Sequence, residues 1–226
     1  MALKYIFPDP LKADAEGLVA AGGDLSVDAL LTAYSKGIFP WFNNDSPILW
    51  WSPDPRMVLF PDKFKISASF KQKIKSRKFT VLIDRNFEEV ISQCAAVRRK
   101  GQKGTWITDD IIRAYTDLHR EGYAHSFEAW HEGKLAGGLY GASLGGAFFG
   151  ESMFYNMTDA SKVAFYHLVM LASKLDFDVI DAQQSTSHLK SLGAEDIPRT
   201  EFIKILKNSL QRQTIKGSWK RFEKEI

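Results

Sequence analysis

Three apolar runs decide the fold of this chain: Ala124-His-Ser-Phe-Glu-Ala-Trp-His131, Lys134-Leu-Ala-Gly-Gly-Leu-Tyr-Gly141 and Gly146-Ala-Phe-Phe-Gly-Glu-Ser-Met-Phe154. Each has the length and aromatic content of a β-strand, and the pairs Glu132-Gly133 and Gly145-Gly146 separate them. Strands joined by such short, glycine-containing turns form hairpins. The stretch therefore predicts an antiparallel meander of three strands.

A fourth strand pattern, Phe177-Asp-Val-Ile-Asp-Ala-Gln183, ends in two polar side chains. Residues i and i+2 of a strand project to the same side, so Asp181 and Gln183 would point together. Val179 and Ile180 would hold the strand in the core. Because an amide cannot titrate, the pair favours hydrogen bonding and positioning over proton storage. A polar strand end without a function is the alternative interpretation.

Helical patterns surround these strands, and one more strand pattern lies at 79–83. Apolar spacing and capping residues predict helices near 69–77, over 87–94, after Thr108, from Asp159 to about 174, over 187–192 and after Thr200. The basic tail from Lys204 to Lys224 has few apolar anchors, so we expect a surface helix with a frayed end there. This order of elements indicates an α+β fold in which helices flank a mixed sheet, as in acetyltransferase-like proteins.

The beginning of the chain has a different character. Proline and tryptophan recur in short phrases such as Gly37-Ile-Phe-Pro-Trp-Phe42 and Trp50-Trp-Ser-Pro-Asp-Pro-Arg56, and Ser26 can cap one helix. We therefore predict two domains. A small irregular N-terminal domain would span residues 1–62, and the acetyltransferase-like mixed-sheet domain would span residues 63–226.

Composition restricts the function classes only weakly. With 226 residues and 45% hydrophobic content, the chain can bury a sizeable core. Its 30 lysines and arginines and its 27 acidic residues give a net charge of +3. This net charge is too small to indicate nucleic-acid binding by itself. Local clusters could still neutralise phosphates, namely Lys71, Lys73 and Lys75 on one predicted helix and Arg98, Arg99, Lys100 and Lys103 on a loop. A solvated surface is the commoner explanation of either cluster.

The single cysteine, Cys94, excludes an internal disulfide framework and indicates a reducing compartment. Neither a secretory signal nor an apolar run of about 18 residues is evident, so we expect a cytoplasmic protein without a membrane partner. Three histidines, His119, His125 and His131, lie six residues apart, unlike the close pairs of zinc helices. We assign no metal.

Glu151 is the lone carboxylate of the run Phe148–Phe154. A buried carboxylate needs a partner, which could be a cationic ligand or, as the alternative, a lysine or arginine of the chain itself. Two tryptophans in loops, Trp41 and Trp106, could stack on a base or instead join two lobes of the protein.

Ten phrases, in order over roughly residues 5–206, resemble the leucyl/phenylalanyl-tRNA-protein transferases. They are Gly22-Gly-Asp-Leu-Ser26, Ala33-Tyr34-x-x-Gly-Ile-Phe-Pro-Trp-Phe42, Trp50-Trp-Ser-Pro-Asp-Pro-Arg56, Gly104-Thr-Trp-Ile107, Ala124-His-Ser126, Gly138-Leu-Tyr-Gly141, Phe149-Gly-Glu-Ser-Met-Phe154, Ala160-Ser-Lys162, Ile180-Asp-x-Gln183 and His188-Leu-x-Ser-Leu-Gly-Ala194. The chain departs from the family pattern at Lys65 and Ala68, where a His and an Arg are usual, and at Thr186, where an Asn is common.

This resemblance implies an aminoacyltransferase that moves Leu or Phe, and Met less efficiently, from aminoacyl-tRNA to the α-amine of proteins beginning with Arg or Lys. The modified proteins would enter the N-degron pathway. The partners would be Leu-tRNA, Phe-tRNA and the acceptor proteins, and we expect a monomer. No cofactor is expected, because the ester already stores the energy of the reaction.

The resemblance also implies roles for individual residues. The terminal adenosine would lie near Tyr34, Trp41, Trp106 and Tyr115. The side chain of the transferred amino acid would contact Phe148, Gly150, Met153, Phe165 and Leu168. Glu151, Asp181 and Gln183 would surround the reacting amine and ester, with Asp181 orienting the carboxamide of Gln183. Their positive charge, rather than the resemblance, indicates that Lys71, Lys73 and Lys75 would contact phosphates of the tRNA.

Three rival functions remain at this stage. A transferase of amino acids to cell-wall peptides would share the chemistry. An acyl-CoA acetyltransferase would need a diphosphate-binding loop, which the sequence lacks. An RNA-binding module without catalysis would have no reason to place Asp181 and Gln183 together beside Glu151.

Overall fold

The computed structural model describes residues 5–97 and 105–225. The predicted basic loop with Arg98, Arg99, Lys100 and Lys103 lies outside these residues. Within them the chain forms a three-stranded sheet near its beginning and a seven-stranded sheet that carries most of the helices.

The small sheet consists of β1 (Leu18–Ala21), β2 (Phe39–Pro40) and β3 (Leu49–Trp51), with β3 in the middle and both pairs antiparallel. Helix α1 (Val27–Ser35) begins where the sequence predicts, because Oγ of Ser26 accepts a hydrogen bond from the backbone N–H of Ala29.

The large sheet has the strand order β10-β4-β9-β8-β7-β6-β5. Its strands are β4 (Arg56–Leu59), β5 (Thr80–Ile83), β6 (Ala124–His131), β7 (Lys134–Leu144), β8 (Ala147–Tyr155), β9 (Val179–Gln183) and β10 (Glu195–Ile197). Strands β6, β7 and β8 pair antiparallel, so the predicted meander is confirmed. Strands β8 and β9 pair parallel, which requires the long crossover that helix α5 (Ala160–Lys174) supplies.

Six further α-helices and three short 3₁₀ segments accompany the two sheets in the described residues. The helices are α2 (Ala68–Lys75), α3 (Phe87–Ala96), α4 (Asp109–Arg120), α5 (Ala160–Lys174), α6 (Ser187–Ser191) and α7 (Arg199–Ser209), and the 3₁₀ segments are Pro10–Lys12, Pro61–Lys63 and Trp219–Glu225. Thr108 caps α4 as predicted. Thr200 does not cap α7, because that helix already begins at Arg199 after Pro198.

The two faces of the large sheet bury separate cores. Phe149 packs on one face with residues of α1, α3 and α4, and Phe148 packs on the other face with residues of α5. Neighbouring residues of a strand alternate between faces, so this run of two phenylalanines serves both cores.

The prediction of a loosely attached basic tail is wrong. Trp219 is 1% exposed, its ring stacks on His125 at 3.8 Å, and its backbone N–H donates to Asp84 at 2.7 Å. One buried tryptophan covers a large apolar area, so it anchors a segment that has no helical periodicity.

The predicted α+β class, with a small N-terminal part and a mixed-sheet part, is confirmed. The division at residue 62 stays a proposal, and strand β4, at Arg56–Leu59, already belongs to the seven-stranded sheet. In residues 5–97 and 105–225, none of the helices combines the length and the apolar character needed to cross a bilayer.

Candidate active site

A cavity of about 720 Å³ opens where strands β8 and β9 separate. Their last paired residues are Phe149 and Asp181. Beyond this point β8 follows β7 and β9 follows β4, so the next residues of both strands line a cleft. Its wall is formed mainly by β2, β7, β8, β9, α5 and α6. The lining residues include Phe39, Trp41, Trp106, Leu139, Gly150, Glu151, Met153, Asp159, Lys162, Phe165, Leu168, Ile180, Asp181, Gln183, Thr186 and His188.

Glu151 reaches this cleft because the β7–β8 register is irregular there. Tyr140 pairs with Ser152 and Gly141 with Gly150, so Glu151 is the extra residue of a β-bulge. Bulges re-aim a side chain and are common beside active sites. The sequence alone contains no sign of this register shift.

Three donors in the described part of the chain hold the Glu151 carboxylate. Oε1 accepts from the Tyr34 hydroxyl at 2.6 Å and from Nε2 of Gln183 at 3.0 Å, and Oε2 accepts from the Tyr115 hydroxyl at 3.0 Å. The two hydroxyls also contact each other. No lysine or arginine of the described chain forms an ion pair with Glu151, so the internal salt bridge considered above is not formed.

Burial raises the pKa of Glu151 to about 7, and the hydrogen bonds from Tyr34 and Tyr115 oppose that rise. Burial, and then the nearby Glu151 charge, raises the pKa of both tyrosines well above the ordinary value. The tyrosines therefore stay protonated and act as donors. Near pH 7 the carboxyl group can carry either charge state.

Asp181 is fully buried and bound to an arginine that the sequence analysis missed. Arg56 on β4 donates from Nε to Oδ1 at 2.8 Å and from Nη2 to Oδ2 at 2.6 Å. Oδ1 also accepts the backbone N–H of Gln183 at 2.9 Å. A buried strand aspartate needs a cation, and that requirement was the available signal for Arg56.

Gln183 ends β9 with a φ of 64°, in the left-handed region that non-glycine residues seldom adopt. Its Nε2 donates to Glu151. The contact differs from the predicted one: Asp181 binds the backbone amide of Gln183 and Glu151 binds its side chain, so Asp181 can orient the carboxamide only through the backbone. In the described chain, no hydrogen bond is donated to Oε1 of Gln183, which leaves this oxygen as an acceptor.

The four aromatic residues expected near the adenosine divide into two pairs. Trp41 and Trp106 line the cavity, and Trp41 packs edge-on against Trp51 with ring centroids 6.0 Å apart. Tyr34 and Tyr115 are 1% and 0% exposed. Their rings present no free face for stacking, and it is their hydroxyls that reach the site.

The apolar part of the cavity contains most of the residues expected around the transferred side chain. Gly150, Met153, Phe165 and Leu168 line it. Phe148 is instead fully buried and packs against Trp219, with ring centroids 6.1 Å apart. Leu139 and Ile180, which the sequence did not assign to this pocket, also line it.

The three lysines of α2 are exposed, but they differ in their surroundings. Lys73 forms an ion pair with Asp159, which lines the cavity. A helix turns by about 100° per residue, so Lys71 and Lys75 share a side of α2 that Lys73 does not occupy. Lys162, another lining residue, lies 3.7 Å from Asp159.

The three departures from the family pattern have plain structural positions. Ala68 begins α2, and the backbone N–H of Lys65 donates to the Leu192 carbonyl. Thr186 caps α6 by accepting the Leu189 N–H at 3.2 Å. Threonine and asparagine both serve as N-caps, so Thr186 keeps that local function.

Comparison with known sequences points to one family over most of the chain. Residues 58–207 match the model described as leucyl/phenylalanyl-tRNA protein transferase, and residues 23–54 match the model described as its N-terminal domain. The chain is 55% identical over 213 residues to the leucyl/phenylalanyl-tRNA--protein transferase of Anaeromyxobacter sp. (strain Fw109-5), covering 94% of this chain and 91% of that one. It is 51% identical to the protein of the same name from Desulfatibacillum aliphaticivorans, with the same coverage.

Among solved structures, the L-PGS of Bacillus licheniformis is similar with a TM-score of 0.39 and 13% identity. The matched region covers 71% of this chain and 51% of that chain, so this chain spans about half its length.

Proposed function

The chain belongs to the leucyl/phenylalanyl-tRNA protein transferase family, and from this membership we propose that it transfers Leu or Phe, and Met less efficiently, from aminoacyl-tRNA to a protein N-terminus. The acceptors are proteins that begin with Arg or Lys, and the added residue marks them for N-degron degradation. The structural observation that best supports this proposal is the hydrogen bond between Glu151 and Gln183, which lies where strands β8 and β9 separate and beside the apolar part of the cavity.

The reaction is the aminolysis of an ester. The α-amine attacks the aminoacyl carbonyl carbon, the C–N bond forms, the C–O bond to the ribose breaks, and a proton of the amine passes to the ribose oxygen. An α-amine has a pKa of about 8, so part of it is already neutral near pH 7 and no strong base is needed. The site has to position the amine rather than deprotonate it strongly.

Gln183 is suited to that positioning. Its Nε2 is bound to Glu151, which leaves Oε1 to accept a hydrogen bond from the attacking amine. The carboxamide cannot be protonated near neutral pH, so this acceptor is present at every working pH. Glu151 fixes the carboxamide, and Asp181 fixes the backbone from which it projects.

The cavity offers a contact surface for the amino-acid side chain and another for the terminal adenosine of the aminoacyl-tRNA. Met153, Phe165 and Leu168 offer apolar contacts for a Leu or Phe side chain, and Trp41 and Trp106 offer ring faces for the terminal adenosine. Glu151 in its charged form attracts the cationic side chain of an N-terminal Arg or Lys.

We also propose that residues 1–62 and 63–226 are the two domains and that the protein works in the cytoplasm as a monomer. The two family matches support a division of the chain into two parts, and they change over between residues 54 and 58, a few residues before residue 62. Cys94 is the only cysteine of the sequence, so the chain cannot form an internal disulfide, as expected in a reducing compartment.

Radiolabelled Leu-tRNA incubated with peptides that begin with Arg, Lys or Ala tests the proposal. Label should enter the Arg and Lys peptides and leave the Ala peptide unlabelled. A matched Glu151→Gln variant should lose most of the preference for the cationic peptides, since the carboxylate is what distinguishes them. Equal labelling of the Ala peptide by the wild-type protein would contradict the proposed acceptor class, and no labelling of any peptide would contradict the transfer activity.

A further inference from the structure

We infer that Arg56 is a positioning residue for the transfer reaction: through Asp181 it holds Gln183 in the conformation that brings the carboxamide to Glu151. The inference rests on the proposed function, because it assigns a role within the same site. Arg56 itself is not among the residues that line the cavity, so it acts on the substrates only through its neighbours.

The contact between Arg56 and Asp181 has a planar, two-bond geometry. Nε and Nη2 each donate to a different oxygen of the carboxylate, at 2.8 and 2.6 Å, and both side chains are almost fully buried. Such a bidentate pair fixes the plane of the carboxylate as well as its position. A lysine in the same place would supply the charge but only a point contact.

The guanidinium group is itself held in one place by two aromatic rings. Its central carbon lies 4.8 Å from the ring centroid of Phe39 on β2 and 4.6 Å from that of Phe202 on α7. Both contacts have cation–π geometry. A residue of the small sheet and a residue of the last α-helix therefore set the position of the arginine that supports the site.

The pair is not arranged for the greatest number of hydrogen bonds. Nη1 of Arg56 is buried and has no hydrogen-bond partner among the described residues. Burying an N–H group without a partner is unfavourable. Arg56 thus leaves one N–H group without a hydrogen bond but keeps the two hydrogen bonds that orient Asp181. This is expected if the orientation of Asp181 matters for function.

Asp181 passes this constraint to Gln183. Its Oδ1 accepts the backbone N–H of Gln183, whose φ of 64° is unfavourable for a residue with a Cβ atom. If Asp181 shifted, Gln183 could relax to a negative φ, and its carboxamide would leave Glu151. The chain of contacts from Arg56 to Glu151 is thereby continuous.

The substitution Arg56→Lys tests this role. We expect kcat for transfer of Leu to an Arg-initiated peptide to fall at least about tenfold, while KM for each substrate changes less than about threefold, because binding surfaces stay intact. Arg199→Lys is the matched control: Arg199 is also buried, at 8% exposure, but its side chain donates to the Ser52 carbonyl and not to Asp181. The control should keep kcat within about threefold of the wild-type value.

A double substitution distinguishes positioning from general destabilisation. Because Arg56 acts through Asp181, Arg56→Lys/Asp181→Asn should be no slower than Asp181→Asn alone, within about threefold. The inference would be overturned if the fold reduction of kcat in the double variant equalled the product of the two single reductions. A folded Arg56→Lys protein with wild-type kcat would also overturn it. If Arg56→Lys does not unfold cooperatively, Phe202→Leu removes one ring from the guanidinium and should lower kcat at unchanged KM; an unchanged kcat would overturn the inference equally. A wild-type protein that transfers nothing would instead refute the proposed function.

Discussion

Replacing Glu151 with glutamine should change the pH dependence of folding stability in a direction that the site geometry determines. The carboxyl group is buried with two tyrosines and Gln183 around it, and burial raises its pKa from the ordinary value of 4.5 to about 7. A raised pKa means that the folded protein binds the proton more tightly than the unfolded chain. The resulting stabilisation is fully present below pH 4.5 and is lost as the pH rises through 7.

The size of the effect follows from the same two values. Between pH 5 and pH 8, this single group should lower the free energy of unfolding of the wild-type protein by about 2.5 kcal/mol. Glutamine has no proton to lose and can keep the hydrogen bonds to Tyr34 and Gln183 through its carbonyl oxygen. All other groups titrate alike in both proteins, so the difference between the two proteins isolates Glu151.

Urea unfolding of both proteins at pH 5, 6, 7 and 8 measures this difference. Glu151→Gln should gain about 2.5 kcal/mol relative to the wild-type protein across the series. Glu223→Gln is the control. The hydrogen bond to Arg85 lowers the pKa of Glu223, so the contribution of Glu223 to folding stability is lost only as the pH falls below the range from 5 to 8. A wild-type-minus-variant difference that stays flat from pH 5 to pH 8 would refute the assignment of a raised pKa to Glu151.

Three further predictions concern the reaction and its substrates. Gln183→Ala should slow transfer at least about tenfold and leave tRNA affinity nearly unchanged, since the carboxamide works on the amine; a loss of affinity as large as the loss of rate would mean that this strand end is structural. Leu-tRNA should donate faster than Ile-tRNA, by about tenfold, because a β-branched side chain fits the chamber of Met153, Phe165 and Leu168 less well; equal rates in single-turnover assays would remove these residues from the pocket. A plot of log tRNA affinity against log salt concentration should have a smaller slope for the Lys71→Ala/Lys75→Ala variant, and an unchanged slope would exclude α2 from the RNA surface. Trp106→Ala should lower the affinity equally at all salt concentrations.

The sequence by itself determined the central strands, several helices and their order. The three runs of the meander, the capped helices after Ser26 and Thr108, and the apolar strand before Asp181 are all found where the pattern predicts them. These features depend on neighbours within a few residues, such as the alternation of side chains along a strand or the hydroxyl that caps a helix. Such interactions are visible in a linear sequence, and the ordered family phrases added the reaction class.

Only the tertiary structure decided how the site is held together. Tyr34 and Glu151 are 117 residues apart, and Arg56 and Asp181 are 125 residues apart. The bulge that turns Glu151 into the cleft arises from pairing with another strand, and Trp219 anchors the tail in a core formed by distant residues. Each of these contacts depends on which distant groups the folded chain brings together, and no local sequence pattern contains that information. The partner of a buried polar group is selected when the chain closes around it, so the sequence could name Asp181 and Gln183 but could not say which residues bind them.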